Sequence, residues 1–192
     1  MQPKVLLCGE GNFDNYTAAL RAAGAVVCRE TGASLCCDGL VLPGGGDIEG
    51  RLDAQEHLLI QSFVETQRPV LGICRGMQAL NVFFRGTLYR RIPGHQSPGG
   101  DILHRTYACG CLAGLLGSEP IVNSNHHQAV RELGERLTAE QWAHDGTIEG
   151  LRHEQWPIWG VQWHPERQSY GLYRPDAVDA APLWEAFLRQ MR

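Results

Sequence analysis

Residues 69–78 read PVLGICRGMQ, and the fold can be predicted outward from this stretch. An apolar run of strand type comes first, a break follows between Gly72 and Gly76, and helical spacing of apolar residues begins at Met77. Glycines two places before and two places after Cys74 leave room for a sharp strand-to-helix turn, where any Cβ would crowd the facing backbone. The pattern predicts a nucleophile elbow, with the Cys74 sulfur raised at the carboxyl end of the strand.

This turn would also place Cys74 at the start of a helix. The free N–H groups and the positive dipole end of that helix favour a thiolate over a thiol, and they can stabilise a developing oxyanion. A second interpretation is that Cys74 is a small buried residue that closes a strand, as free cysteines often do. A base elsewhere in the chain would decide between the two interpretations.

The candidate base lies in residues 158–166, which read IWGVQWHPE. A run typical of a buried strand ends at His164, and Glu166 follows across Pro165, so both side chains can lie on the same side of an extended segment. Glu166 would fix the tautomer of His164 and support its imidazolium form. A lone histidine after a strand is more often a surface residue, but with Cys74 the pattern indicates a nucleophile, a general base and an orienting carboxylate.

These two motifs resemble those of the class I glutamine amidotransferase superfamily. Within it, the chain is most similar to the γ-glutamyl hydrolase branch of peptidase C26 type, typified by γ-glutamyl-γ-aminobutyrate hydrolase. Three further blocks agree, in the order of the family: residues 42–47 (LPGGGD), 122–130 (VNSNHHQAV) and 145–150 (DGTIEG). An ordered set of blocks is far more specific than one short motif. The resemblance implies a flavodoxin-like α/β fold, a single-domain three-layer sandwich with a mostly parallel central sheet over residues 1–192.

The resemblance also implies the oxyanion hole. In the family the glycine loop supplies one backbone N–H, here that of Gly44 or Gly45, and the N–H of Arg75 is the second donor. A plain turn or a phosphate-binding loop is the alternative for these glycines. A phosphate loop would require Gly-Lys-Ser/Thr leading into a helix, and the sequence does not have it here.

Substrate-binding residues follow from the same resemblance. The block that contains Asn125, His126 and His127 lines the glutamyl pocket, and Gln78, one helical turn beyond Cys74, faces that pocket. Glu149 matches a position near the site, although a solvated turn carboxylate is the alternative.

No metal and no organic cofactor are expected. The adjacent histidines His126 and His127 would point to opposite faces of an extended segment and would chelate one ion poorly. The pairs Cys36-Cys37 and Cys109-Gly110-Cys111 each lack a second pair that would complete a metal site.

Composition limits the class of protein. A chain of 192 residues with 43% hydrophobic residues suits one domain with a sizeable core. A net charge of −4 without long charged runs argues against nucleic acid or an anionic membrane as the main partner. The apolar run in residues 1–8 is too short for a signal peptide or a membrane span, and the odd count of seven cysteines indicates reduced thiols, so we expect a cytoplasmic protein. A homo-oligomer is compatible with this composition.

Alternating short strands and helices predict a parallel sheet whose site lies at the carboxyl ends of its central strands. The helix over residues 52–67 has Leu58, Leu59, Phe63 and Val64 as core candidates. Residues 90–101 are predicted to form a loop that shapes substrate access, with a mobile surface loop as the alternative. The remaining strands are predicted at residues 4–8, 25–28, 39–42, 87–89, 104–109 and 148–151, and the remaining helices at 13–23, 112–116 and 181–191.

The function implied by the resemblance is hydrolysis of a small-molecule γ-glutamyl amide to glutamate and an amine, through a γ-glutamyl thioester. The amine is left open, because only residues 47–53 separate the glycine loop from the next helix, fewer than in many relatives. One alternative is a glutaminase subunit that delivers ammonia to a partner synthase; Arg75 argues against it, since synthase-linked branches usually have an apolar residue there. Another alternative is a binding or sensing module without catalysis, against which the intact triad argues.

Overall fold

A nine-stranded sheet forms the centre of the computed structural model, which describes residues 1–9 and 13–191. The strands in chain order are β1 (Lys4–Leu7), β2 (Val26–Cys28), β3 (Gly39–Leu42), β4 (Val70–Ile73), β5 (Thr87–Tyr89), β6 (Ile102–Ala108), β7 (Ile121–Ser124), β8 (Ala129–Glu132), β9 (Leu137–Ala143), β10 (Ile148–His153) and β11 (Ile158–Val161). Strands β5 and β8 form a separate two-stranded antiparallel sheet.

The central sheet has a parallel half and an antiparallel half. Strands run in the order β2-β1-β3-β4-β11-β10-β9-β6-β7, and the pairings from β2 to β11 are parallel. The pairings from β11 to β7 are antiparallel. The α/β fold with a parallel sheet at its centre is confirmed, while β7, β8 and β9 lie outside the strands that the sequence predicted. The last strand of the chain, β11, thus lies in the middle of the sheet.

Alternating side chains of the parallel strands supply two separate cores. Val5 and Leu7 of β1 face one core and Leu6 faces the other, as the period of a strand requires. The helices are α1 (Asp14–Ala22), α2 (Ala54–Glu65), α3 (Arg75–Phe83), α4 (Gly110–Leu116) and α5 (Ala181–Arg189). Helices α1, α4 and α5 cover the first face and α2 and α3 cover the second, which makes the three-layer sandwich that was predicted.

One core prediction for α2 is wrong. The side chain of Leu58 is 64% exposed, whereas Ile60, Phe63 and Val64 are buried. The buried stripe follows the three- and four-residue spacing of a helix face, and Leu58, two residues from Ile60, lies on the far side of that face. The predicted burial of Phe63 and Val64 is confirmed.

The structure bears on two features that the composition suggested, the state of the cysteines and the character of the helices. The seven cysteines all fall in the described part of the chain and are free thiols. Within residues 1–9 and 13–191, none of the helices combines the length and the apolar character that a membrane span needs.

Candidate active site

Cys74 occupies a strained turn between β4 and α3. Its backbone has φ 52° and ψ −107°, a conformation that costs a residue with a Cβ about 1–3 kcal/mol. Both flanking glycines are required for this turn. A Cβ on Gly72 would lie 2.5 Å from the carbonyl oxygen of Gly76, and a Cβ on Gly76 would overlap the carbonyl of Leu42. This is the geometry of a nucleophile elbow.

Strand pairing brings His164 to this turn. Strand β11 is the parallel neighbour of β4, and the Cys74 N–H donates to the carbonyl oxygen of Val161 at 2.8 Å. Asn123 then fixes the backbone of His164 from both sides. Its Oδ1 accepts from the His164 N–H at 2.7 Å, and its Nδ2 donates to the His164 carbonyl oxygen at 2.8 Å. The imidazole is therefore held on a rigid segment, although His164 lies outside any strand.

The sequence predicted an extended segment after His164, and this prediction is wrong. Pro165–Arg167 form a short 3₁₀ turn that begins directly after His164. Proline suits the first position of such a turn, because it has no N–H that would need a partner there. The turn still brings Glu166 back to the imidazole, so the predicted contact survives although the predicted backbone is wrong.

His164 lies between a carboxylate and the thiol. Its Nδ1 donates to Oε1 of Glu166 at 2.7 Å, which leaves Nε2 for Cys74. Burial alone would lower the pKa of His164, but the charge of Glu166 and hydrogen bonds with Cys74 and Glu166 raise that pKa to about 10. An imidazole this basic retains a proton taken from the thiol. The arrangement can therefore hold a thiolate–imidazolium pair.

The glycine loop lies against the same imidazole. A Cβ on Gly44 would be 2.9 Å from Cε1 of His164 and 3.7 Å from Cβ of Cys74, so glycine is needed for the loop to approach this closely. The Gly44 N–H donates to the hydroxyl of Tyr16 at 3.0 Å. Of the two glycines predicted for the oxyanion hole, Gly44 thus has its amide engaged by a side chain, while no hydrogen bond to the Gly45 amide occurs among the described residues.

Arg75 is the first residue of α3, where backbone N–H groups lack partners within the helix. Its guanidinium forms a two-pronged ion pair with Glu56, in which Nη2 donates to Oε2 at 2.9 Å. Hydrogen bonding to Glu56 raises the pKa of Arg75 despite partial burial. The guanidinium is thereby held at Glu56.

The predicted substrate-binding residues divide into two groups. Asn125 is exposed, and His127 turns outward, with Nε2 2.8 Å from Oδ1 of Asp47. Gln78, His126 and Glu149 are buried. The expectation that His126 and His127 point apart agrees with this geometry.

Gln78 holds two neighbouring segments together beneath the site. Its Nε2 donates to the carbonyl oxygen of Gln128 at 2.9 Å and to Oε1 of Gln162 at 3.1 Å. The side chain is 3% exposed. In this structure Gln78 therefore joins the segment of Gln128 to that of Gln162.

Sequence reasoning missed two residues that contact His164. Tyr16 lies on an apolar stripe of α1, where an aromatic residue looks like ordinary core. Asn123 falls within a motif block, but an asparagine that binds backbone at a distance of 41 positions leaves no local pattern.

A groove of about 1020 Å³ borders the glycine loop on its outer side. Both signs of charge occur along it, because Arg29 and Arg75 line it together with Glu30 and Glu56.

Comparison with known proteins identifies the family of the chain. The sequence profile described as Peptidase C26 matches residues 35–166. YvdE of Lactococcus lactis, described as a glutamine amidotransferase-like protein, is 34% identical over 155 residues, which cover 67% of this chain and 66% of YvdE. The γ-glutamyl-CDP-amidate hydrolase of Campylobacter jejuni is 30% identical over 140 residues, 68% of this chain and 62% of the hydrolase. The matched regions thus span somewhat less than two thirds of these relatives.

A solved structure supports the fold alone. A candidate GMP synthase subunit from Thermoplasma acidophilum superposes with a TM-score of 0.78 at 20% identity, covering 100% of this chain and 94% of that one.

The profile match includes the glycine loop, the elbow, His164 and Glu166. The chain therefore belongs to the peptidase C26 family of glutamine amidotransferase-like proteins.

Proposed function

We propose that the chain is a cysteine-dependent hydrolase that cleaves a γ-glutamyl amide to glutamate and an amine. The observation that carries the proposal is the position of His164, whose Nδ1 is bound to Glu166 and whose imidazole is within hydrogen-bonding reach of Cys74 on a strained elbow. Such a unit attacks a carbonyl carbon. Membership of the peptidase C26 family supports a hydrolase, and the relative that acts on a γ-glutamyl amidate supports the substrate class.

In the first half of the reaction, Nε2 of His164 takes the proton from the Cys74 sulfur. The thiolate attacks the δ-carbonyl carbon of the γ-glutamyl group, and backbone N–H groups of Gly45 and Arg75 hold the oxyanion. When the tetrahedral intermediate collapses, the carbon–nitrogen bond breaks and the imidazolium gives its proton to the departing amine. A γ-glutamyl thioester on Cys74 remains.

Water completes the cycle. His164 takes a proton from water as its oxygen attacks the thioester carbonyl, and the carbon–sulfur bond breaks to release glutamate and the Cys74 thiolate. Glu166 keeps the imidazole in the tautomer that both halves need. Each proton that moves in this scheme is exchanged among the thiol, the imidazole, the amine and water.

The leaving amine is proposed to occupy the groove beside the glycine loop. Arg29 on its lining would suit an amine that carries a carboxylate or phosphate, since Arg75 is already paired with Glu56, and Glu30 would suit a second amino group. The substrate panel should therefore contain both kinds of amine.

The test is release of glutamate by the purified chain from γ-glutamyl amines and from glutamine. Cys111→Ala is the matched control, because Cys111 is an exposed cysteine on α4. We expect Cys111→Ala to match the wild type and Cys74→Ala to lose on the order of 10³-fold or more of kcat. Hydroxylamine added during turnover should yield a γ-glutamyl hydroxamate in the wild type and in Cys111→Ala but not in Cys74→Ala, because it intercepts the thioester.

Two outcomes would contradict the proposal. Activity retained by Cys74→Ala would mean that another group is the nucleophile. Turnover of glutamine alone, with every γ-glutamyl amine inert, would instead favour a glutaminase subunit that delivers ammonia to a partner synthase.

A further inference from the structure

Three histidine side chains surround one buried carboxylate close to the candidate active site. Oε1 of Glu149 lies 3.3 Å from Nδ1 of His95, 3.5 Å from Nε2 of His126 and 3.7 Å from Nε2 of His104. Glu149 is completely buried, and His95 and His126 are nearly so. The four residues come from four separate segments of the chain, so their convergence is a product of the fold.

These short distances lack the alignment of hydrogen bonds. Within the described residues, Nε2 of His104, Nε2 of His126 and both carboxylate oxygens of Glu149 have no hydrogen-bond partner. One such buried atom costs about 1–3 kcal/mol, so four at a single point require a compensating partner. Around a metal ion, the lone pairs of the ligands point at the ion and not at one another. Binding to a common ion therefore brings imidazole nitrogens and carboxylate oxygens close together without aligning them for hydrogen bonds.

In His126 and His95, the ring nitrogen that points away from Glu149 has a hydrogen-bond acceptor, which determines the lone pair that faces Glu149. Nδ1 of His126 donates to the carbonyl oxygen of Gln128 at 2.9 Å, and Nε2 of His95 donates to Oδ2 of Asp145 at 3.0 Å. A neutral His126 therefore presents the Nε2 lone pair to Glu149, and a neutral His95 presents that of Nδ1. Histidines that bind metals usually donate from the other nitrogen to a carboxylate or backbone carbonyl in this way.

The burial of the carboxylate is also suitable for a cation site. Glu149 is completely buried, and three imidazoles lie within 3.3–3.7 Å of its Oε1. A buried carboxylate requires a positive charge or hydrogen bonds beside it.

We propose that His95, His104 and Glu149 bind a divalent transition-metal ion of the zinc class, with water as the remaining ligand. The ligand atoms of these three residues lie within 4.8 Å of one another. Ligand bonds of about 2.0–2.1 Å in a tetrahedron place neighbouring ligand atoms about 3.3–3.4 Å apart, close to the separations of 3.3 Å and 3.7 Å from Glu149. Nε2 of His126, 3.5 Å from Oε1 of Glu149, borders the site but lies outside this ligand set.

The ion would be structural, because it joins segments that support the catalytic histidine. The Glu149 carbonyl oxygen accepts from the Gln162 N–H at 2.9 Å, two residues before His164. On the other side, the hydroxyl of Ser124, next to Asn123, donates to the carbonyl oxygen of His95 at 2.8 Å. The inference does not rest on the proposed hydrolysis, and its test uses a protein without the nucleophile.

The test measures metal in Cys74→Ala protein, so that the Cys74–His164 pair cannot capture the ion. We expect about one zinc ion per chain by elemental analysis after loading and gel filtration. Adding Glu149→Gln should remove the ion, whereas adding His144→Gln should not, because His144 is a histidine outside the cluster whose Nε2 contacts Tyr107. Removal of the ion with a chelator should lower the thermal unfolding midpoint, and zinc should restore it.

Cobalt substitution keeps the proposal testable if Glu149→Gln fails to fold. Cobalt-loaded Cys74→Ala protein should absorb in the visible range as a tetrahedral complex, without the near-ultraviolet band of cobalt bound to sulfur. Absence of a stoichiometric ion and of this spectrum would overturn the proposal and would assign the positive charge to a proton on His95, whose pKa is raised by Glu149 and Asp145 despite burial. Equal zinc binding by Glu149→Gln would overturn it as well.

Discussion

The hydroxyl of Tyr16 lies 3.3 Å from Nδ1 of His164, and the same oxygen accepts the N–H of Gly44 at 3.0 Å. Burial, followed by the nearby charge of Glu166, raises the pKa of Tyr16 well above its usual range, so the hydroxyl keeps its proton. An un-ionised Tyr16 hydroxyl therefore contacts both the glycine loop and the imidazole. It is a positioning residue of the candidate site.

Tyr16→Phe should lower kcat up to about tenfold with little change in KM, because one hydrogen bond contributes about 0.5–1.5 kcal/mol and the hydroxyl acts through the loop and the imidazole. Tyr107→Phe is the matched control, since the Tyr107 hydroxyl also contacts a histidine nitrogen, that of His144, but at the surface. Steady-state kinetics of the two variants make the comparison. Equal activities would exclude a positioning role for Tyr16.

His164→Asn should lose nearly as much activity as Cys74→Ala, and the double variant should lose little more, because the members of a catalytic unit fail together. Glu166→Gln should lose less, since it retains the shape of the orienting side chain. Single-turnover measurements of thioester formation provide the comparison. A loss for Glu166→Gln as large as that for His164→Asn would mean that Glu166 does more than orient the imidazole.

The strain at Cys74 predicts a stability difference between two inactive variants. Cys74→Gly should be more stable than Cys74→Ala by about 1–2 kcal/mol, because only glycine adopts a positive φ without steric cost. Urea unfolding of both variants measures the difference. Equal midpoints and slopes would show that the turn relaxes when the sulfur is removed.

Stability should depend on pH above neutrality through His164. Its pKa is about 10 in the folded chain and about 6.5 in the unfolded chain, so the folded state binds the extra proton between these values. The stabilisation is fully present below pH 6.5 and is lost as the pH rises through 10. Unfolding free energies of wild type and His164→Asn across this range, with Glu166 and Cys74 intact in both, isolate the contribution. Parallel curves would contradict the raised pKa.

The elbow and the His164–Glu166 pair could be predicted because each is set by a few adjacent residues. Glycine spacing determines the turn at Cys74, and a separation of two positions keeps Glu166 within reach of His164 in an extended segment and in a 3₁₀ turn alike. Local sequence patterns also predicted helix ends that lie within about two residues of the observed ones, the usual uncertainty of such boundaries. Exact bounds and topology depend on contacts that the local sequence does not encode.

Strand β9 was missed because two of its buried side chains are polar. Glu140 and Gln141 are buried, a pattern that reads as a surface segment when the sequence is taken alone. In the fold, Gln141 accepts from Nε1 of Trp163 and donates to Thr106, so its burial is compensated by distant partners. The histidine cluster around Glu149 was also missed, because its members come from separate segments of the chain and share no local pattern.

The position of β11 has a consequence for how the protein assembles. It is the last strand in sequence, yet it joins the parallel half of the sheet to the antiparallel half. Until residues 158–161 have been made and inserted, the two halves are separate sheets with open edges, and the thiol has no base. Such non-local pairing slows folding. Activity should therefore return later than helical structure when the denatured chain refolds.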